Sequence, residues 1–258
     1  MLYLFLLVKC FYWLIYYDLL FGANSIVYTK AFDIGLIKGS AFFLYKQTNV
    51  SASLYFIVFL GCLCILNLFK VRIHLLFDFI IWLIVINIHN KIYPTLTGGN
   101  YLLNQLLFFN IFISDKFKTN GHWANQIKIC IHNVGVVGIF SQVCIVYIFS
   151  FIAKLNDESW RNGTAIIITS QINHYTLPVI SQYALRFNFL FVLLNYIVLI
   201  YQILFPVIVW IKKIKKPFII IGILMHLYIS FVMGLVDFGL IMILSYIYFW
   251  PEKKAVDL

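Results

Sequence analysis

Residues 218–250 run for 33 positions in nearly unbroken apolarity with no proline among them. As one helix rising about 1.5 Å per residue, this stretch would reach roughly 50 Å, whereas the hydrocarbon core of a bilayer is about 30 Å thick. The run is therefore predicted to fold as two helices, with Gly234 and Asp237 supplying the break. A segment of this kind has no place in a water-soluble fold, and the rest of the chain repeats the pattern. Of 258 residues, 63% are hydrophobic and 11% charged, against about 45–50% and about 25% in soluble domains. The class implied is all-α: a polytopic transmembrane helix bundle, read as a single integral membrane domain over residues 1–258.

The charge fits that class. The 19 Lys and Arg exceed the 9 Asp and Glu, giving a formal charge of +10. These residues form no stripe of the kind that binds nucleic acid. They punctuate the apolar runs instead, at Lys70/Arg72, Lys116/Lys118 and Lys212/Lys213/Lys215/Lys216, as cytoplasmic loops do under the positive-inside rule. Lipid is thus the partner implied, and nucleic acid is not. The five cysteines lie almost entirely in apolar runs, where Cys acts as a small hydrophobe. No His spacing marks a metal site.

Counting one crossing per run places spans at 1–17, 50–69, 73–88, 101–113, 129–153, 187–211 and in the two halves of 218–250, about eight crossings with both termini cytoplasmic. Residues 18–49 are expected to form a surface loop with one amphipathic helix. Residues 164–185, which contain His174 and Pro178, are too polar to cross and read as re-entrant or interfacial. This topology puts the loop at 90–100 and the turn at 154–163 on one outer face.

Four places on this outline carry candidate chemistry. Lys154 ends a span and is followed by a polar turn and Trp160. It reads as a snorkelling anchor beside a belt aromatic. It also reads as an amine partly withdrawn from water, where the ammonium is disfavoured and the group can accept a proton. Gly98-Gly99-Asn100 is either an ordinary turn or a place where backbone comes close to a ligand. His226 lies in the middle of an apolar run, where an ionisable side chain makes a packing hydrogen bond or faces a cavity. His74 and Asp78, four residues apart on one helix, can pair structurally.

Four segments occur in a suggestive order: Pro94-Thr-Leu-Thr-Gly-Gly-Asn-Tyr-Leu-Leu, Lys154-Leu-x4-Trp160-x2-Gly163-Thr-Ala, Tyr201-Gln-x3-Pro206 and His226-x2-Ile229. Together, over residues 80–250, they resemble the HTTM domain, the membrane domain shared by vitamin K-dependent gamma-carboxylases and their bacterial relatives. The resemblance implies that Lys154 is the base that activates a reduced quinone, with His226 as a second catalytic residue. It also implies that Gly98, Gly99, Asn100 and Trp160 hold a vitamin K-like quinone.

Three features set the chain apart from the carboxylases. Gly99 or Asn100 stands where they carry a catalytic His, and Trp160 lies one residue further from Lys154. A large soluble C-terminal domain is not expected after Trp250. The Trp-x-x-Gly-Thr-Ala form is closer to the sporulation-delaying protein B family, bacterial proteins associated with maturing a secreted peptide toxin together with a small partner protein. The expected function is assistance in producing an exported peptide toxin, through an outward-facing pocket around Lys154 in a bacterial cytoplasmic membrane. A small partner protein and a peptide precursor are the implied partners. The alternatives are a quinone-dependent carboxylase-like enzyme, and a transport or structural subunit in which Lys154 is only an anchor.

Overall fold

Within lipid no water can satisfy backbone N–H and C=O groups, so long apolar runs close their hydrogen bonds internally as helices. The computed structural model describes residues 1–22, 25–27, 50–69, 74–113, 122–172 and 178–250. Every regular element among them is helical. In chain order these are α1 (Leu2–Ile15), α2 (Tyr17–Leu20), α3 (Val50–Leu68), α4 (His74–Lys91), α5 (Gly98–Asn110), α6 (His122–Leu155), α7 (Glu158–Arg161), α8 (Ala165–Ser170), α9 (Pro178–Arg186), α10 (Asn188–Ile208), α11 (Lys212–Phe231) and α12 (Val236–Ser245). The all-α class predicted from sequence is the class observed.

Four of these helices contain stretches long and apolar enough to cross a membrane: Ser51–Leu68, Trp123–Leu155, Asn188–Ile208 and Lys212–Phe231. Leu2–Ile15 and Val236–Phe249 are shorter and apolar. The chain is a membrane protein. The basic clusters Lys70/Arg72 and Lys116/Lys118, residues 28–49 of the expected surface segment, His174 and the Glu252-Lys253-Lys254 return lie outside the described residues.

Several predicted boundaries shift for physical reasons. The span expected at 129–153 is one helix of 34 residues, His122–Leu155. Its polar first turns stay helical because nothing in them breaks a helix. Residues 98–100, expected in a turn, open α5 instead, with Thr97 at the N-cap. The lysine run expected in a loop forms the first turns of α11, and Pro217 lies inside that helix at its sixth residue, where it removes one backbone hydrogen bond and crowds the carbonyl four residues back. The predicted break in 218–250 is observed: α11 ends at Phe231, Gly234 takes a left-handed φ of +69°, and α12 begins at Val236.

The described residues cluster into two units, Met1–Gly138 and Ile139–Leu258. In the first, α1 lies on α3, α3 on α4 and α4 on α5. Apolar contact alone drives little association in lipid, so shape fit and hydrogen bonds hold such helices together. Tyr3 of α1 donates to Asp78 Oδ1 at 2.5 Å and accepts from Asn110 Nδ2 at 2.8 Å, joining α1, α4 and α5. The pairing expected between Asp78 and His74 rests on a His74 side chain outside the described set. Near the end of α4, His89 is fully buried; its Nδ1 meets Asn104 Oδ1 at 2.8 Å and its ring lies edge-on to Trp13 at 5.9 Å.

In the second unit α11 lies on α12, while α10 touches α8, α9 and α11. The α11–α12 contact depends on Gly239. A Cβ there would collide with Ser230 Oγ and the His226 carbonyl.

Candidate functional site

On α6, Tyr147, Ser150 and Lys154 are spaced by three and four residues and so share one face. Lys154 Nζ donates to Ser150 Oγ at 2.7 Å, and Gln202 Nε2 of α10 donates to the same oxygen at 3.2 Å. The Lys154 ammonium also stands 4.9 Å from the centre of the Trp160 ring, within range of a cation–π attraction. Neither Ser150 nor Trp160 carries a negative charge, and no carboxylate partners the amine among the described residues.

Trp160 is held in place by the turn around it. Asp157 caps α7, accepting from Ser159 N at 2.8 Å and Ser159 Oγ at 2.6 Å. These hydrogen bonds, the hydroxyl first, hold the Asp157 carboxyl below its usual range. From α10, Asn195 Nδ2 donates to the Trp160 carbonyl at 2.9 Å and the Tyr196 hydroxyl donates to the Arg161 carbonyl at 2.9 Å. Gly163 closes the turn at φ +77°, with Val192 and Tyr196 where a Cβ would point. Only glycine meets both demands.

A second polar group forms around His226 of α11, which is 2% exposed. Its Nε2 lies 2.8 Å from the Tyr147 hydroxyl. That hydroxyl is also hydrogen-bonded to Tyr246, which in turn lies 3.1 Å from the Tyr201 hydroxyl. Phe205 stacks on Tyr147 with ring centres 4.1 Å apart. Which of the two atoms donates depends on the imidazole tautomer, and the other ring nitrogen is Nδ1. That nitrogen is buried and has no hydrogen-bond partner, as is also true of Gln202 Oε1.

Both polar groups line one cavity of about 230 Å³. Lys154, Trp160, Tyr147, Ser150, Gln202 and His226 supply its polar contacts; Phe238, Leu235, Val198 and Ile166 contribute apolar walls. Three further wall residues are Met225, Met233 and Met242. The chain has four methionines and the fourth is Met1, so every internal methionine faces this space. Thioether side chains adapt to irregular shapes. The result is a greasy, deformable chamber lined by an amine that no carboxylate neutralises among the described residues.

Of the residues singled out from sequence, Lys154, Trp160 and His226 meet in this cavity. Gly98, Gly99 and Asn100 belong to the first unit, where Gly99 and Asn100 are buried and Asn100 Nδ2 donates to Thr97 Oγ1 at 3.2 Å. The cavity itself is built wholly from second-unit residues. Sequence reasoning overlooked Tyr147 and Ser150, although both fall on the helix face that carries Lys154, and it did not weigh the methionines clustered between 225 and 242. Compared with protein-family models, curated proteins and solved structures, the chain gives no match.

Proposed function

We propose that the chain is an HTTM-like membrane protein whose Lys154 cavity binds a small amphipathic ligand in the course of producing an exported peptide, with a small partner protein assisting. The observation that carries this reading is an amine that lines an apolar cavity with no acidic partner among the described residues. A charge held in apolar surroundings without a counter-ion is costly, and a bound anionic head group would offset that cost. The topology that goes with this reading has about eight crossings in a bacterial cytoplasmic membrane, with Lys154 at the outer face.

The test is genetic. Deleting the gene from its source cells should remove one or more exported peptides from the culture fluid, read by mass spectrometry. Wild-type protein should restore them and Lys154→Met should not. An unchanged secreted peptide profile on deletion would end this reading.

A second reading, a quinone-dependent carboxylase-like enzyme, has its own support in the Trp160 ring beside the Lys154 amine and in Phe238 on the wall of the same cavity. The donor set suits a flat ring bearing oxygen substituents: Lys154 would meet an oxygen and the aromatic residues would flank the ring. The quinone would supply reversible redox chemistry. Lys154 would hold or take a proton at that oxygen, with Ser150 fixing the amine's direction. Lipid extraction of the purified protein would yield a quinone in near one-to-one amount under this reading, and none under the first.

A further inference from the structure

We propose that the first turns of α11 hold an anionic phospholipid, its phosphodiester head at Lys213 and Lys216 and one acyl chain along the apolar stripe that continues from them. This site is separate from the Lys154 cavity and does not depend on what that cavity binds.

Helix α11 opens with Lys212-Lys213-Ile214-Lys215-Lys216. Lys212 has lysines three and four residues on, and Lys213 has Lys216 three residues on, so like charges fall on neighbouring positions, which destabilises a helix. The first turn contains no acidic residue, and it is the end of a helix where cations are least favoured. Lys216 Nζ stands 5.8 Å from the centre of the Trp250 ring. Among the described residues no carboxylate pairs with any of the four amines. Positive charge is concentrated here with nothing described beside it to balance it.

The surface that continues from the lysines decides what kind of anion fits. Positions 213, 217, 220 and 224 are spaced by four, three and four residues and so form one stripe along α11. Pro217, Ile220 and Leu224 are all exposed, and the stripe extends over about 16 Å of helix. A soluble anion would meet the lysines and leave this stripe bare. An amphiphile covers both, with its charge at Lys213 and Lys216 and its hydrocarbon on Ile220 and Leu224.

Two indoles set the depth of the lysines. Trp210 is 58% exposed and its ring lies 6.5 Å from Phe249, the residue before Trp250. Tryptophans with free ring surface settle at head-group level, so the amines stand among phosphates. A zwitterionic lipid carries its own cation next to the phosphate and would repel the lysines as much as attract them. An anionic phospholipid, such as phosphatidylglycerol, carries none. Under the positive-inside rule this end of α11 is cytoplasmic, the leaflet whose anionic lipids draw basic segments of membrane proteins.

The experiment is native mass spectrometry of the full-length protein, purified in detergent and given equal amounts of dioleoyl-phosphatidylglycerol and dioleoyl-phosphatidylcholine, which share their chains and differ in head-group charge. Phosphatidylglycerol should be retained about tenfold more, on a scale of roughly fivefold for each lysine engaged. Lys213→Gln with Lys216→Gln should lower that ratio to about twofold or less, whereas Lys213→Arg with Lys216→Arg should keep it. Lys128→Gln with Arg186→Gln removes the same charge from exposed positions elsewhere and should leave the ratio unchanged. Glycerol phosphate, a head group without chains, should not displace the lipid.

Equal retention of the two lipids, a ratio that the glutamine pair leaves intact or the arginine pair loses, or an equal fall on removing charge at Lys128 and Arg186 would each overturn the proposal. Displacement by glycerol phosphate would overturn it in favour of a soluble phosphate. Capture of a poly-glutamate peptide in place of phosphatidylglycerol would overturn it in favour of an acidic protein segment.

Discussion

Among the described residues each unit buries one histidine between apolar helices, and the two sites differ in what surrounds the ring. His89 is 0% and His226 2% exposed. Each makes one hydrogen bond of 2.8 Å through one nitrogen, to Asn104 and to Tyr147, and each leaves its other nitrogen without a partner. A lone unsatisfied atom therefore does not mark a ligand site. His89 sits against Trp13 and Asn104 and ties α1, α4 and α5 of its unit together. His226 lines a cavity together with the Lys154 amine, which no carboxylate partners among the described residues. The same residue type ties helices together in one place and lines a chamber in the other.

That contrast sets the expected size of each substitution. Trp13→Ala, which opens a hole beside His89, should cost about 3–5 kcal/mol and lower the melting temperature of the detergent-purified protein more than any other change considered. Gly239→Ala should cost about 1–3 kcal/mol, because its Cβ meets the Ser230 hydroxyl and the His226 carbonyl; cavity ligation should fall with it. The histidines themselves give the sharpest comparison. His89→Leu strands Asn104 and should destabilise by about 1–3 kcal/mol. His226→Leu leaves Tyr147 bonded to Tyr246, so it should cost about 1 kcal/mol or less while weakening ligand binding severalfold. Equal melting shifts for the two leucine variants would erase the distinction between the sites.

The smallest effect concerns pH. The Asp157 carboxyl lies below its usual range when folded, so its grip on the Trp160 turn is complete above the ordinary carboxylate value of about 4. That grip is lost as pH falls through the lower folded value. Tryptophan fluorescence should show a step there, and Asp157→Asn should remove it.

Much of the fold was readable in the sequence because lipid allows so few solutions. Apolar runs dictated helices, and the length of 218–250 required a break that Gly234 supplies. Boundaries were less readable. Hydropathy marks where a helix enters lipid, not where its hydrogen-bond ladder ends, so α6 extends beyond its apolar part at both ends. Lys154 and His226 stood out as charged or ionisable groups in apolar surroundings. Tyr147 did not, because one tyrosine among 17 carries no signal until a partner is known. Gln202 entered only as part of a segment. Its role appears once α10 sets it across from Ser150, with Pro206 four residues on withholding the N–H that would otherwise bond its carbonyl.

The contact at Gly239 has a consequence for selectivity. It sets the α12 backbone against the His226 carbonyl and the Ser230 hydroxyl of α11, and the three methionines of the chamber stand on α11 (Met225), on α12 (Met242) and in the turn between them (Met233). The walls can reshape by torsion of thioether arms, but the helices behind them are fixed in separation. Such a container tolerates variety in outline and is strict about girth: guests that bend differently are admitted alike, while one that is simply too thick is refused.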